Sequence, residues 1–349
     1  MEKELFVLSL AAISGIVLYF GFKHLPNERW QFIASFPISK SENDLWKGIN
    51  LTYYGLIIAC AQAFAIAIFI TLTGSIGVSL AMIALVGFVL VCSCVLAAKM
   101  FARIVEKKKH TFTVGGASFL GILIAPAAIF AVYKISGVHD AFNFILPVLA
   151  AASISYTLGE GIGRLACISF GCCYGKPLKC SETVMNRLFS RYAFIFSGKT
   201  KKISYEAKLD GHKVIPVQAM TSIVFIVSGI VATYFFLVSR YGLAFGLTML
   251  ITQLWRIVSE TMRADYRGQG NFSFYQIMAL LNCSYSLLLS ALLPEHTLEA
   301  VNLLKGFQYL WNPAVILSVQ VLWFVMVVYF GKSTVTGSKI KFHINRELI

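Results

Sequence analysis

Two groups of charged residues stand where charge is costly. The stretch from Gly159 to Gly175, GEGIGRLACISFGCCYG, closes a long apolar run and places Arg164 near its end. Further on, LWRIVSETMRADYR carries Arg256 and Glu260 four residues apart, then Arg263 and Asp265. An unpaired arginine inside a bilayer costs at least ~2.5–3.5 kcal/mol, so such residues are functional by default. The spacing of Arg256 and Glu260 sets both on one helix face, where they can pair. Guanidinium forks suit phosphate better than lysine does, so Arg164 and Arg256 are candidates for an anion pocket in which Glu260 holds the arginines. The structural alternatives are a snorkelling Arg164 and an Arg256–Glu260 pair that only fixes helix register. Glycines 159, 161, 163, 171 and 175 are expected to let backbone or a lipid headgroup approach Arg164.

The elements that position these residues follow from composition. Of 349 residues, 58% are hydrophobic and 13% charged, against about 45–50% and 25% in soluble domains. Apolar runs at 5–22, 51–72, 76–98, 114–133, 142–165, 217–237, 241–262, 274–293 and 313–330 are each long enough to cross a bilayer as a helix. The expected fold class is an all-α integral membrane protein, a polytopic helical bundle of about eight or nine transmembrane helices with a small polar head insertion. Residues 23–48 read as a polar loop, 166–215 as the head, and the chain from Gly331 as a basic, disordered tail. Apolar residues between Val184 and Phe196 recur at helical spacing and predict a short amphipathic helix lying on the bilayer.

The net charge of +14 is spread over several loops. That distribution points to anionic lipid surfaces and away from nucleic acid. Of eight cysteines, Cys60, Cys92, Cys94 and Cys283 lie in apolar runs as small core residues. Cys167, Cys172, Cys173 and Cys180 gather around the head, but adjacent cysteines without a C-x-x-C pair or partner histidines give no expectation of a metal, and no cofactor is called for.

Taken together, the motifs resemble the prolipoprotein diacylglyceryl transferase family. The resemblance rests on Tyr54-Gly55-Leu56, the pair Gly115-Gly116, the run from Gly163-Arg164-Leu165 to Tyr174-Gly175, Pro216 with Gln218, the Arg256/Glu260/Arg263 helix and Gln276, in that order. It implies a bacterial inner-membrane enzyme that moves a diacylglyceryl group from phosphatidylglycerol, or another anionic phospholipid, to the cysteine thiol of a preprolipoprotein. Arg164, Arg256 and Glu260 are then the catalytic candidates. Tyr54, Gly115, Gly116, Gly163, Tyr174, Gly175, Gln218, Arg263 and Gln276 are the substrate-binding candidates. It also implies a division of the chain into an extra helix and loop at 1–48, a transferase-like membrane domain at 49–293 and a last helix with tail at 294–349.

The chain departs from the family pattern at three places. Val114 stands where the family has a histidine, with His110 one helical turn earlier. Cys167 replaces an asparagine and Cys172 an acidic residue. These changes keep alternatives open: a paralogue that modifies another acceptor, a carrier using Cys172 or Cys173 as its own nucleophile, or a non-catalytic phospholipid-binding protein. Sidedness is also in conflict. If every span crosses, the loops at 23–48, 99–113, 166–215 and 263–273 share one side with the tail. The positive-inside rule makes that side cytoplasmic, whereas the resemblance implies the outer face.

Overall fold

The computed structural model describes residues 2–41, 44–105, 114–178, 189–265, 273–295 and 300–349. Among them nine helices are long and apolar enough to cross a membrane. They are α1 (Glu2–His24), α2 (Tyr53–Ser75), α3 (Leu80–Val105), α4 (Val114–Ile135), α5 (Ile145–Phe170), α7 (Val217–Leu237), α8 (Tyr241–Met262), α9 (Phe274–Leu292) and α11 (Pro313–Gly331). Short helices α6 (Lys202–Ala207) and α10 (Leu303–Leu310) lie between them. In hydrocarbon each backbone N–H needs an internal acceptor, and a helix supplies one within its own segment. The chain is a multi-pass membrane protein.

Helix α5 is the axis of the bundle. Its spanning segment is 72% buried, against 17% for the segments in α3 and α11, and it packs on α1, α2, α4, α7 and α8. Small residues make this possible. A Cβ on Gly159 would lie 2.7 Å from the Cβ of Ala65 on α2, and one on Gly161 would lie 2.9 Å from Ile226 on α7. Hydroxyls stitch the seams of α5, where Ser222 donates to the Gly161 carbonyl and Thr248 to Ser153 over 2.9 Å, and Trp255 Nε1 donates to Thr221 over 2.9 Å between α8 and α7. Each such bond between membrane helices contributes about 0.6 kcal/mol. Gly159 and Gly161 therefore admit neighbouring helices, not a headgroup.

The 23–48 segment and the tail are more ordered than their polarity predicts. Strands β1 (Phe32–Lys40), β2 (Trp46–Thr52) and β5 (Lys332–Ile340) form an antiparallel sheet in the order β1-β2-β5. β2 runs directly into α2, and β5 continues directly from α11. The helices meet so closely that a Cβ on Gly55 would lie 2.1 Å from the Gly331 nitrogen, and Thr52 Oγ1 donates to the Gly331 carbonyl over 2.9 Å. The lysines of KSTVTGSKI hide a strand-forming alternation.

The head is pinned to the bundle at one side. Lys201 is fully buried, and its Nζ donates to Leu25 O over 3.1 Å and to Ser169 O over 2.7 Å, joining the ends of α1 and α5. Gln31 and Thr200 exchange two further bonds. β3 (Phe194–Ile195) pairs with β4 (Lys213–Val214), so the end of the expected amphipathic helix is instead a strand, with Phe194 and Phe196 buried. Residues 189–192 within that stretch are helical, while residues 179–188, which hold its first five positions and Cys180, lie outside the described residues, as do Lys107–Lys109 and His110. The described loops around 25–52, 171–216, 263–265 and 332–340 do meet on one side of the bundle.

Candidate functional site

Arg164 is not at a helix end. α5 runs on to Phe170, six residues or about 9 Å further, so Arg164 is held within the bundle. Its side chain is 13% exposed, which excludes snorkelling. Tyr156, Glu160 and Arg164 stand at i, i+4 and i+8 on one face of α5. Glu160 Oε1 accepts from Arg164 Nη2 and lies 3.8 Å from Arg256 Nη2 on α8. Arg256 Nη2 also donates to the Tyr156 hydroxyl over 2.6 Å. Two guanidiniums from different helices thus converge on one carboxylate oxygen.

This corrects the pairing expected from spacing. Arg256 turns to Glu160 on α5 rather than to Glu260 on its own helix, because α8 packs that face against α5. Glu260 Oε1 is left buried without a hydrogen-bond partner, and the Nε atoms of Arg164 and Arg256 are also buried without acceptors. A buried donor without an acceptor costs ~1–3 kcal/mol, more when charged. The site is a pair of cations with donors to spare, and one turn past Arg256 on α8 Glu260 carries an unpartnered oxygen within electrostatic reach of Arg263.

The remaining candidates fall at different distances from this centre. Tyr54 packs its ring on Phe170 with centroids 5.7 Å apart and lies within electrostatic reach of Arg164 and the three local thiols. Arg263 forms a two-pronged bond to Asp265, Nε to Oδ1 over 2.8 Å and Nη2 to Oδ2 over 2.7 Å. The Tyr174–Lys176 segment pairs with the end of α8: Lys176 N donates to Met262 O over 2.9 Å and Ala264 N to Tyr174 O over 3.1 Å. Gly175 is required there, since a Cβ would lie 2.3 Å from the Ile215 carbonyl. The Tyr174 hydroxyl donates to Glu206 over 3.2 Å, and burial followed by that carboxylate raises its pKa, keeping it a donor.

Gln218 Nε2 donates to Cys172 O over 2.8 Å and its Oε1 is buried without a partner. Gln276 closes a capping box with Ser273 at the start of α9 and donates to Ile257 O over 3.2 Å, so it steadies α8 one residue beyond Arg256. Gly163 tolerates more than its neighbours, with only ordinary contact to Ala61 and Ile58 at 3.9 Å. Gly115 and Gly116 open α4 and offer the site no side chain.

The sulfurs of Cys167, Cys172 and Cys173 all lie within 4.8 Å of one another. Hydrogen bonds donated by Cys172 to Cys167 and Cys173, then burial, push its thiol well above its ordinary pKa, which opposes a role as a free nucleophile. Glu160 and Tyr156 are the residues that spacing did not single out. Glu160 precedes Arg164 by four positions, the same signal that picked out Arg256 and Glu260; Tyr156 continues that face one turn back.

The family model for prolipoprotein diacylglyceryl transferase matches residues 44–292. The chain belongs to that family. The match takes in every residue of the transferase-family site described above and ends with α9, leaving α1, β1, α10, α11 and β5 outside it. A phosphatidylglycerol--prolipoprotein diacylglyceryl transferase of Clostridium tetani (strain Massachusetts / E88) is 30% identical over 125 residues, 36% of this chain and 44% of that relative. The aligned part of the chain thus spans less than half the length of this curated relative.

Proposed function

We propose that the protein transfers a diacylglyceryl group from phosphatidylglycerol, or a closely similar anionic phospholipid, to the cysteine thiol of a prolipoprotein in a bacterial inner membrane. The observation that carries this reading is the convergence of Arg164 and Arg256 on one carboxylate oxygen while each keeps a buried, unpartnered Nε. A phosphate diester supplies the acceptors that these donors lack. In this reading an acyl chain lies in the shallow apolar groove between α7 and α8, lined by Ile223, Val227, Val231, Leu247 and Ile251.

In this reading the acceptor thiol gives its proton to the open oxygen of Glu260. The thiolate attacks the glycerol carbon, the carbon–oxygen bond breaks, and its electron pair leaves on the glycerol phosphate. Arg164 and Arg256 stabilise the charge that grows on the departing phosphate oxygen. Glu160 positions both guanidiniums, and Tyr156 orients Arg256. A register-fixing role for Arg256 and Glu260 alone is disfavoured, because the described ion pair of Arg256 runs to Glu160. The divergent thiols, Cys167 and Cys172, support a second reading in which the acceptor is a thiol other than a lipobox cysteine.

The test is mass spectrometry of membranes given labelled phosphatidylglycerol and a lipobox peptide. Thioether-linked diacylglyceryl peptide is expected, with the rate lowered about 100- to 1000-fold in Arg164→Lys, which keeps the charge and loses the fork. Lipid bound to a folded protein with the peptide unmodified would sink the transferase reading and leave a phospholipid-binding role.

A further inference from the structure

The three thiols at the end of α5 are brought together by the backbone. Gly171 takes φ +73° and closes a Schellman turn: its N–H and that of Cys172 both donate to Cys167 O, over 2.9 and 3.0 Å. This turn folds the residue after the glycine back over the last helical turn, here Cys172 onto Cys167. Cys173 then takes φ +56°. A side chain in that left-handed region costs about 1–2 kcal/mol, and such strain gathers where a site requires it. Gln218 fixes the same loop through Cys172 O. The outcome is three sulfurs within 4.8 Å of one another. Sulfurs at ~2.3 Å from a tetrahedral ion are about 3.8 Å apart, so a movement of about an ångström closes the set.

We propose that Cys167, Cys172 and Cys173 hold a zinc-class divalent ion whose fourth position is open to the thiol of the acceptor cysteine. The metal site stands on the geometry alone; the role of its fourth position rests on the transferase reading. Three protein ligands with one open position is the arrangement of catalytic rather than structural zinc. Three thiolates around a divalent ion carry one net negative charge, and Arg164 and Arg263 both lie within electrostatic reach of Cys173 to offset it.

The steps balance without an oxidant or reductant. Binding of the ion releases three thiol protons to water. The acceptor thiol replaces water as fourth ligand and is deprotonated by coordination, its proton passing to Glu260. The bound sulfur forms the bond to the glycerol carbon as the carbon–oxygen bond breaks, the electron pair leaving with the phosphate. The product thioether is a poorer ligand and departs, and water returns to the ion.

The experiment uses the full chain purified in detergent under reducing conditions, with zinc measured by inductively coupled plasma mass spectrometry and cobalt substituted for spectroscopy. About one zinc per chain is expected, with cobalt showing thiolate charge-transfer and tetrahedral d–d bands. Cys167→Ser and Cys172→Ser should each lower metal retention at least about tenfold while keeping the wild-type elution profile. A lipobox peptide should shift the cobalt bands, and its Cys→Ser version should not. A well-folded wild type that binds no stoichiometric zinc or cobalt overturns the proposal, as does metal content unchanged in the serine variants. If those variants do not fold, cobalt titration of the wild type against a chelator decides it. Metal bound without transfer sinks the transferase reading and keeps the site. Wild-type transfer rates after chelation sink the catalytic role of the ion and keep the reading.

Discussion

Replacing Glu160 by glutamine preserves the shape of the side chain and removes the one charge that two guanidiniums share. Arg164, Arg256 and Glu160 are 12–16% exposed at the side chain, so solvent screens them weakly. Removing one partner of a buried ion pair costs ~3–5 kcal/mol. Two stranded cations push towards the upper end, while the 2.6 Å bond from Arg256 to Tyr156 retains part of the geometry. At about 2–4 °C per kcal/mol for a chain of some 200 residues, and less for a longer one, the apparent melting temperature should fall by roughly 5–15 °C. The assay is tryptophan-fluorescence melting in detergent, with and without inorganic phosphate. Phosphate can supply the negative charge that the guanidiniums have lost, so it should recover most of the loss in Glu160→Gln and stabilise the wild type distinctly less. A variant that melts within a degree of wild type, or an equal phosphate effect on both proteins, would refute the shared-carboxylate argument.

Other expectations follow from single contacts. Tyr156→Phe removes a bond to a charged donor worth ~1.5–3 kcal/mol, and should lower the melting temperature by a few degrees and kcat/KM for transfer by at least about tenfold. Lys201 has its pKa pushed down from 10.5 to about 8 by burial, so between those values the unfolded chain holds a proton that the folded chain has released. Stability should therefore rise with pH across that window, by up to about 3 kcal/mol, and thermal melting of Lys201→Met should lack the rise. Gly55→Val forces α2 away from α11 and should destabilise by about 1–3 kcal/mol, read as faster proteolysis of the β5 segment. Epitope or thiol-labelling tags at His212 and in the 134–140 turn should be accessible from opposite sides of the membrane, and the side found for His212 decides between the positive-inside rule and an outward-facing site.

The spans were legible because bilayer crossing demands long apolar runs, and the nine helices match the runs closely. Tertiary partnership was not. Arg256 and Glu260 share a helix face by spacing, yet the face points at α5, and a carboxylate from another helix takes the guanidinium. Nothing local to residues 256–260 carries that information. Glu160, by contrast, was legible: Glu four residues before Arg in GEGIGR is a favourable helical pair in its own right. The thiol cluster was partly so, since Phe170-Gly171 is a helix stop, and a glycine stop brings the residue after it over the last turn. The sheet was obscured by its lysines, which mark strand edges as readily as they mark disorder. Glycines 159 and 161 were read for a ligand and serve helix packing, because a missing side chain admits whichever neighbour is nearest.

The order of synthesis gives the three-stranded sheet a further consequence. β2 is the middle strand and emerges just before α2, whereas its neighbour β5 follows α11, eight of the described spanning helices later. Chains are made from the N-terminus onward, so β2 is out long before β5 exists. The middle strand must wait with one bare edge until α11 has entered the membrane. The site is assembled from α5 and α8, well before that moment, and the clasp over α2 closes after it. A nascent chain stalled or truncated after α9 would carry the arginines and the thiols, yet present an unpaired strand edge, open to pairing with another chain, to whatever quality control patrols that side of the membrane.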